Sequence, residues 1–235
     1  GKSQAGALKR LQFMNCTRYD RDRLVFTAGN FSALDLFDDN PYAKDARVQF
    51  MNWALFAPGA WDYPADARGY TWGLAAEYFR ENWILRAGRF AMPKESNGLQ
   101  LNLDLRESYG DAVEVERKHS LGGLDGRVHF ILFRNRAKMA SFRDSLADAQ
   151  ATGTTPSLAT SRVDRVKTGF ATGFNQALAK DIGVFVRYSR SDGQSETFAF
   201  TEIDKSVSGG VSIDGPRWSR PDDTLGIALV RNAIS

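Results

Sequence analysis

The chain of 235 residues has a single cysteine, Cys16, so it carries no internal disulfide framework and no thiolate set for a metal. It also lacks any run of about 18 apolar residues, the length a helical membrane span requires, and its mean hydropathy is −0.38. That absence excludes spanning helices but says nothing of spanning strands, because a barrel strand turns every second residue to water. Neither sign of charge dominates. The 31 basic and 28 acidic residues are interspersed, which leaves no basic patch for nucleic acid. No Pro/Ser-rich linker or break in composition divides the sequence, and no motif recurs at a fixed spacing, so residues 1–235 read as one domain. The opening GKSQAGALKR has no apolar signal core, so either a signal segment has been removed or the chain is a piece of a longer one.

What the sequence does have is alternation. Tyr70, Trp72, Leu74, Ala76 and Tyr78 make one apolar face with aromatic ends, and Thr71, Gly73, Ala75 and Glu77 occupy the other. The same period sets Val166, Phe170, Phe174 and Leu178 against Lys167, Gly169, Ala171, Gly173 and Asn175. It sets Val184, Val186 and Tyr188 against Phe185, Arg187 and Ser189, and Val113 and Val115 against Glu114, Glu116 and Lys118. One face suits hydrocarbon and the other suits water. The charges Glu77, Glu114, Glu116, Lys118, Lys167 and Arg187 are therefore expected to line a wet interior, since about 2–4 kcal/mol opposes each Lys or Arg at a lipid midplane. Tyr70, Trp72, Tyr78, Trp83 and Tyr188 suit girdles at the membrane surface.

Nine strands are expected, at 22–32, 68–80, 82–92, 106–119, 127–137, 164–179, 182–191, 199–214 and 223–234. Their connections alternate between tight turns (Arg80/Glu81, Gly122 to Asp125, Lys180/Asp181, Asp214 to Pro221) and longer ones (33–67, 93–105, 138–163, 192–198). Short turns at one membrane surface and long loops at the other produce this sorting. The fold class is an all-β transmembrane, antiparallel, up-and-down barrel. At about 24 residues per strand, a barrel of about 16 strands needs about 380 residues, so several strands are expected to be missing from this chain. The last segment, Thr224 to Ile234, is a strand pattern with no closing partner, which also suggests a fragment. Helix is expected within Ala46 to Phe56 and within Ser141 to Gln150, the latter with a serine cap.

The same residues carry little sign of other chemistry. Glu114 and Glu116 are roughly 7 Å apart on one strand face, within the range of an inverting glycosidase pair, but Lys118 beside them points to charge balance. Gly1-Lys2-Ser3 has no glycine-rich turn before it, Asp35, Asp38, Asp39 and Asn40 lack EF-hand spacing, and His119 and His129 flank a turn without ligand partners. No enzyme, cofactor or metal is expected. Alternation alone does not say which face is inside, so a soluble or surface barrel binding a small ligand in its interior stands as the alternative.

The stretch from Leu24 to Gly73, LVFTAGNFSALDLFDDNPYAKDARVQFMNWALFAPGAWDYPADARGYTWG, together with WILRAGRFAMP (83–93) and RWSRPDDTLGIALVRNAIS (217–235), resembles the carbohydrate-selective porin (OprB-type) family of Gram-negative outer membranes. The resemblance covers nearly everything after about residue 20, and residues 1–20 fall outside it. It implies a 16-stranded outer-membrane barrel for passive diffusion of mono- or oligosaccharides, with membrane lipid outside and either a monomer or a homotrimer as the assembly.

Within that expectation the connection 33–67 is the candidate constriction element, being long for a loop and dense in sugar-compatible groups. Asp35, Asp38, Asp39, Asn40, Asp45 and Asn52 supply hydroxyl partners, while Tyr42, Trp53, Trp61 and Tyr63 can stack on apolar sugar faces. It is expected to fold into the lumen, its acids balanced by Arg47, Arg68 and the wall arginines Arg86, Arg89 and Arg187.

Overall fold

A computed structural model of the chain describes residues 22–198 and 202–234. The expectations for residues 1–20 and for the start of the 199–214 strand lie outside those residues. The described strands are β1 (Arg23–Phe31), β2 (Thr71–Arg80), β3 (Trp83–Ala91), β4 (Tyr109–Leu121), β5 (Leu124–Met139), β6 (Val163–Ala179), β7 (Ile182–Ser191), β8 (Lys205–Asp214) and β9 (Thr224–Ala233). They form one antiparallel sheet of nine strands in which each pairs with its neighbours in sequence, an up-and-down meander. No described helix is long and apolar enough to cross a membrane.

Turn chemistry sets the register. Leu121 pairs with Leu124 across Gly122 and Gly123, whose φ angles of 60° and 81° suit the two-residue hairpin that matches strand twist. The expected four-residue turn is thus only two glycines, and both flanking strands run further than the sequence indicated. Arg80 likewise pairs with Trp83, with Glu81 in the left-handed region, and Ala179 pairs with Ile182 beyond a bulge.

Alternation sorts the two faces. Leu74, Leu85, Val113, Leu132, Val166 and Val186 are exposed on one face, and Glu77, Arg86, Glu114, Ile131, Lys167 and Arg187 are buried on the other. Trp72, Tyr78, Trp83 and Tyr188 are also exposed on the apolar face. The polar face is buried because the β1–β2 connection lies across it. Phe37, Trp61 and Tyr63 from that connection pack with Phe31, Phe90, Ile131 and Phe133 of the sheet, and the Phe37 ring meets Trp61 and Phe90 edge-on at 5.9 and 6.1 Å. A second contact packs Ala43, Leu55, Tyr42 and Phe50 against Phe185 of β7 and Ala228 of β9.

Helix is shorter than expected in the first connection. A single 3-10 turn at Ala33–Asp35 opens the connection, and within the expected span 46–56 the helix is α1 (Trp53–Phe56), capped by Asn52, whose side chain accepts from Ala54 N at 3.0 Å. Upstream, the Gln49 side chain accepts from Lys44 N and Asp45 N, and Asp45 accepts from Arg47 N. These local side-chain bonds compete with the helical ladder and hold 44–49 as a turn. The second helix, α2 (Phe142–Thr152), starts at the Ser141 cap and ends at Gly153, whose φ is 67°.

Candidate functional site

The candidate site is the layer where segment 33–67 meets the polar face. Its centre is Asp38, fully buried. Arg187 Nε donates to Asp38 Oδ1 at 2.9 Å, its Nη2 lies 2.8 Å from Oδ2 as an ion pair, and His129 Nε2 lies 2.9 Å from Oδ1. The same guanidinium donates to Leu55 O at 2.7 Å and Ala43 O at 2.6 Å, so one wall residue holds three separate points of the segment. Burial pushes the Asp38 carboxyl up, but Arg187 and His129 together hold it below the usual carboxylate range.

Beside it, β2, β3 and β4 supply an ion cluster. Arg86 Nε donates to Glu77 at 3.3 Å, its Nη1 donates to Glu116 at 2.7 Å, and it also bonds Glu114. The other Glu114 oxygen accepts from Asp38 N at 2.7 Å, which ties the cluster to the segment. Arg127 bridges Asp39 and Glu116, lying 3.8 Å from the latter, and Lys44 sits 3.6 Å from Asp39. Asp39 and Arg127 keep part of their side chains in solvent, 43% and 29% exposed, unlike the acids beneath them. Lys44 and Arg127 hold the Asp39 carboxyl low against its partial burial.

At the other end, Lys167 Nζ donates to Thr197 Oγ1 at 2.7 Å and lies 3.5 Å from Asp62. Asp62 also accepts from Phe198 N at 3.0 Å, and Asn135 donates to its carbonyl. Ala60 N donates to Ser189 Oγ at 2.9 Å. Three glycines admit the segment: the Tyr42 ring occupies the space a Cβ at Gly183 would take, Pro64 does the same at Gly110, and the Phe50 ring crowds that space at Gly226.

The residues expected from the sequence divide three ways. Asp38, Asn40 and Trp61 are buried and serve as anchors rather than as surface a solute could reach. Glu77, Arg86, Glu114, Glu116, Lys167 and Arg187 are on the expected face but are covered by the segment rather than lining water. Alternation assigns a face and is silent about what covers it. Asp39, Tyr42 and Trp53 keep partial exposure, Asp35 turns back to accept from Ser32 N at 3.1 Å, and Lys118 is exposed near the tight turn.

Two arginines are corrected. Arg89 lies on the apolar face, paired with Asp111, because a spacing of three residues puts it across the sheet from Arg86. Arg47, expected to balance the segment's acids, is exposed, and Asp39 is paired by Lys44 and Arg127 instead. Arg68 pairs with Asp66, its side chain 71% exposed, away from the buried cluster. The sequence reading missed Arg127, Asp62 and the inward role of His129. Parity would have found the strand residues, since 127, 129, 131, 133 and 135 share the inner face of β5.

A family model described as "Carbohydrate-selective porin, OprB family" matches residues 8–235. The chain belongs to that family. It is a family of channel proteins rather than of enzymes. Among solved structures, the OprB of Pseudomonas putida, determined at high pH, is similar at a TM-score of 0.67 and 18% identity, over 89% of this chain and 50% of that one. The chain thus spans about half the length of that structure. At this identity the likeness concerns the fold, an antiparallel porin sheet. No curated protein matches the chain.

Proposed function

We propose that the complete protein is an outer-membrane channel of a Gram-negative bacterium that passes mono- or oligosaccharides by passive diffusion. In this reading segment 33–67 is its constriction. The observation that carries it is the docking of this segment on the polar face through buried ion pairs from two strands, Lys167 of β6 to Asp62 and Arg187 of β7 to Asp38, with Glu114 of β4 accepting from Asp38 N. A surface loop turned outward would leave those wall charges to solvent. Here they are spent on holding a polar, aromatic-rich segment inside the sheet. A sugar passing such a constriction exchanges part of its water shell for side-chain contacts weak enough to release it.

The buried acids and arginines fix the shape, and the half-exposed Asp39, Lys44 and Arg127, with Tyr42 and Trp53, meet the solute. Glu114 and Glu116 share one guanidinium and act as structural charge, not as an acid and base pair. The apolar face of the sheet meets lipid. Liposome swelling tests the reading: the full-length polypeptide reconstituted in liposomes admits monosaccharides and disaccharides faster than a control porin admits them relative to amino acids of equal size. Equal rates for sugars and size-matched amino acids would overturn sugar preference, and no swelling would overturn the channel.

A further inference from the structure

Charge interrupts the apolar face in a row that the channel reading does not use. Arg89 of β3, Asp111 of β4 and Arg134 of β5 are cross-strand neighbours in a single row. Arg89 donates to both Asp111 oxygens at 2.7 and 2.9 Å, and Arg134 donates to one of them at 2.8 Å. Two guanidinium groups thus share one carboxylate. The Tyr109 ring lies beneath both, at 4.0 and 5.4 Å from their central carbons. Both cations stay about half exposed, at 43% and 49% of the side chain, with Arg134 turning only one of its five N–H groups to Asp111.

Next to this row, on the side of the tight turns, the apolar face is hollowed. Phe26, Ala76, Ala87 and Val113 are neighbours across β1 to β4, so two alanines form a floor between larger side chains. Phe26 and Leu74 stand up at its margin, 75% and 58% exposed. The groove runs to Arg89 and Asp111.

We propose that the groove and the arginine row together bind one phosphorylated lipid, its head group on Arg89 and Arg134 and an acyl chain over Ala76 and Ala87. The proposal rests on the apolar face meeting membrane. Depth supports it: Arg89 lies six residues from the boundary residue Trp83, about 20 Å along the strand, which places the guanidinium groups at head-group level on the long-loop side. Charge supports it too. The cluster keeps one positive charge beyond its carboxylate; Arg89 spends its Nε and Nη2 on Asp111 and its Nη1 on Leu105 O, which leaves Arg134 as the planar fork turned outward, the geometry that grips phosphate oxygens in pairs. A second copy of the chain would have to bring an acidic row to the same place. The acidic side chain in this row, Asp111, is already shared by two cations.

Native mass spectrometry of the full-length polypeptide in non-ionic detergent tests this with phosphatidic acid as the probe. The wild-type protein is expected to bind phosphatidic acid at least about tenfold more tightly than phosphatidylcholine, and Arg89→Gln with Arg134→Gln to remove that preference. Ala87→Phe, which fills the groove from the lipid side, is expected to weaken phosphatidic acid by a similar factor. Equal affinity in wild type and double variant would overturn the proposal. So would displacement by inorganic phosphate at equal concentration, which marks a free-anion site, or dimers that the double variant dissociates, which mark a second copy. Liposome swelling on the same samples separates the two readings: loss of swelling with lipid preference intact removes the channel and leaves the lipid site.

Discussion

Arg187→Met removes a guanidinium that donates to three acceptors and keeps most of the apolar stem. Asp38 Oδ1, Ala43 O and Leu55 O lose their donor and Asp38 Oδ2 its ionic partner, in surroundings where Asp38 and Ala43 are fully buried. Breaking a buried pair from one side costs about 3–5 kcal/mol, because the surviving carboxylate stays desolvated. Each orphaned carbonyl adds about 1–3 kcal/mol if it finds no water, and these costs do not simply add. The pair alone weakens docking of 33–67 by about two to four orders of magnitude. Hydrogen exchange read by mass spectrometry reports this locally. Amides of Asp38 and Ala60, bonded to Glu114 and Ser189 across the layer, are expected to lose protection by at least about a hundredfold, while β-ladder amides of β4 and β5 keep theirs. Asp38→Asn combined with Arg187→Met removes the stranded charge and is expected to lose less than the single variant. Full protection of Asp38 N in Arg187→Met would refute the anchoring role.

Acid acts through the same carboxyl. Its docked pKa is lowered, so its contribution is whole above the ordinary value of 3.8 and is lost as pH falls through the depressed one; single-channel conductance is expected to stay level from neutral pH down to about 5 and to rise only below the ordinary carboxylate range. A step near neutrality would contradict that. Gly183→Ala drives a Cβ into the Tyr42 ring and is expected to cost about 1–3 kcal/mol of segment docking, seen as faster exchange at 41–43 with β7 unchanged. Arg127→Gln removes a half-solvated cation beside Asp39 and is expected to shift the reversal potential in a salt gradient toward cation preference, with less than about 1 kcal/mol of stability lost.

The strands were legible because a sheet with one exposed apolar face and one covered polar face writes its period into every segment. Ile182–Ser191 matches its expected bounds, and the other described strands differ at their ends, where turn residues decide. The extra length of β4 and β5 was hidden because Gly122 and Gly123 alone suffice for the hairpin. The site was legible only as a set of residue types. Parity placed Glu114, Lys167 and Arg187 on the inner face, but nothing local could say that a segment more than a hundred residues away would bury Arg187. Arg89 shows the opposite failure. Chemistry groups it with Arg86, while its odd spacing from Arg86 puts it on the other face.

The most direct test of the membrane assignment is the solvent on the apolar face. In a Cys16→Ser background, a fluorophore placed at Leu132→Cys or Leu74→Cys in the reconstituted full-length polypeptide is expected to be quenched by lipids brominated in the acyl chain and spared by aqueous iodide. A fluorophore at Lys118→Cys, on the opposite face, is expected to show the reverse. Iodide quenching at Leu132 as strong as at Lys118 would contradict a lipid-facing sheet, and with it the channel.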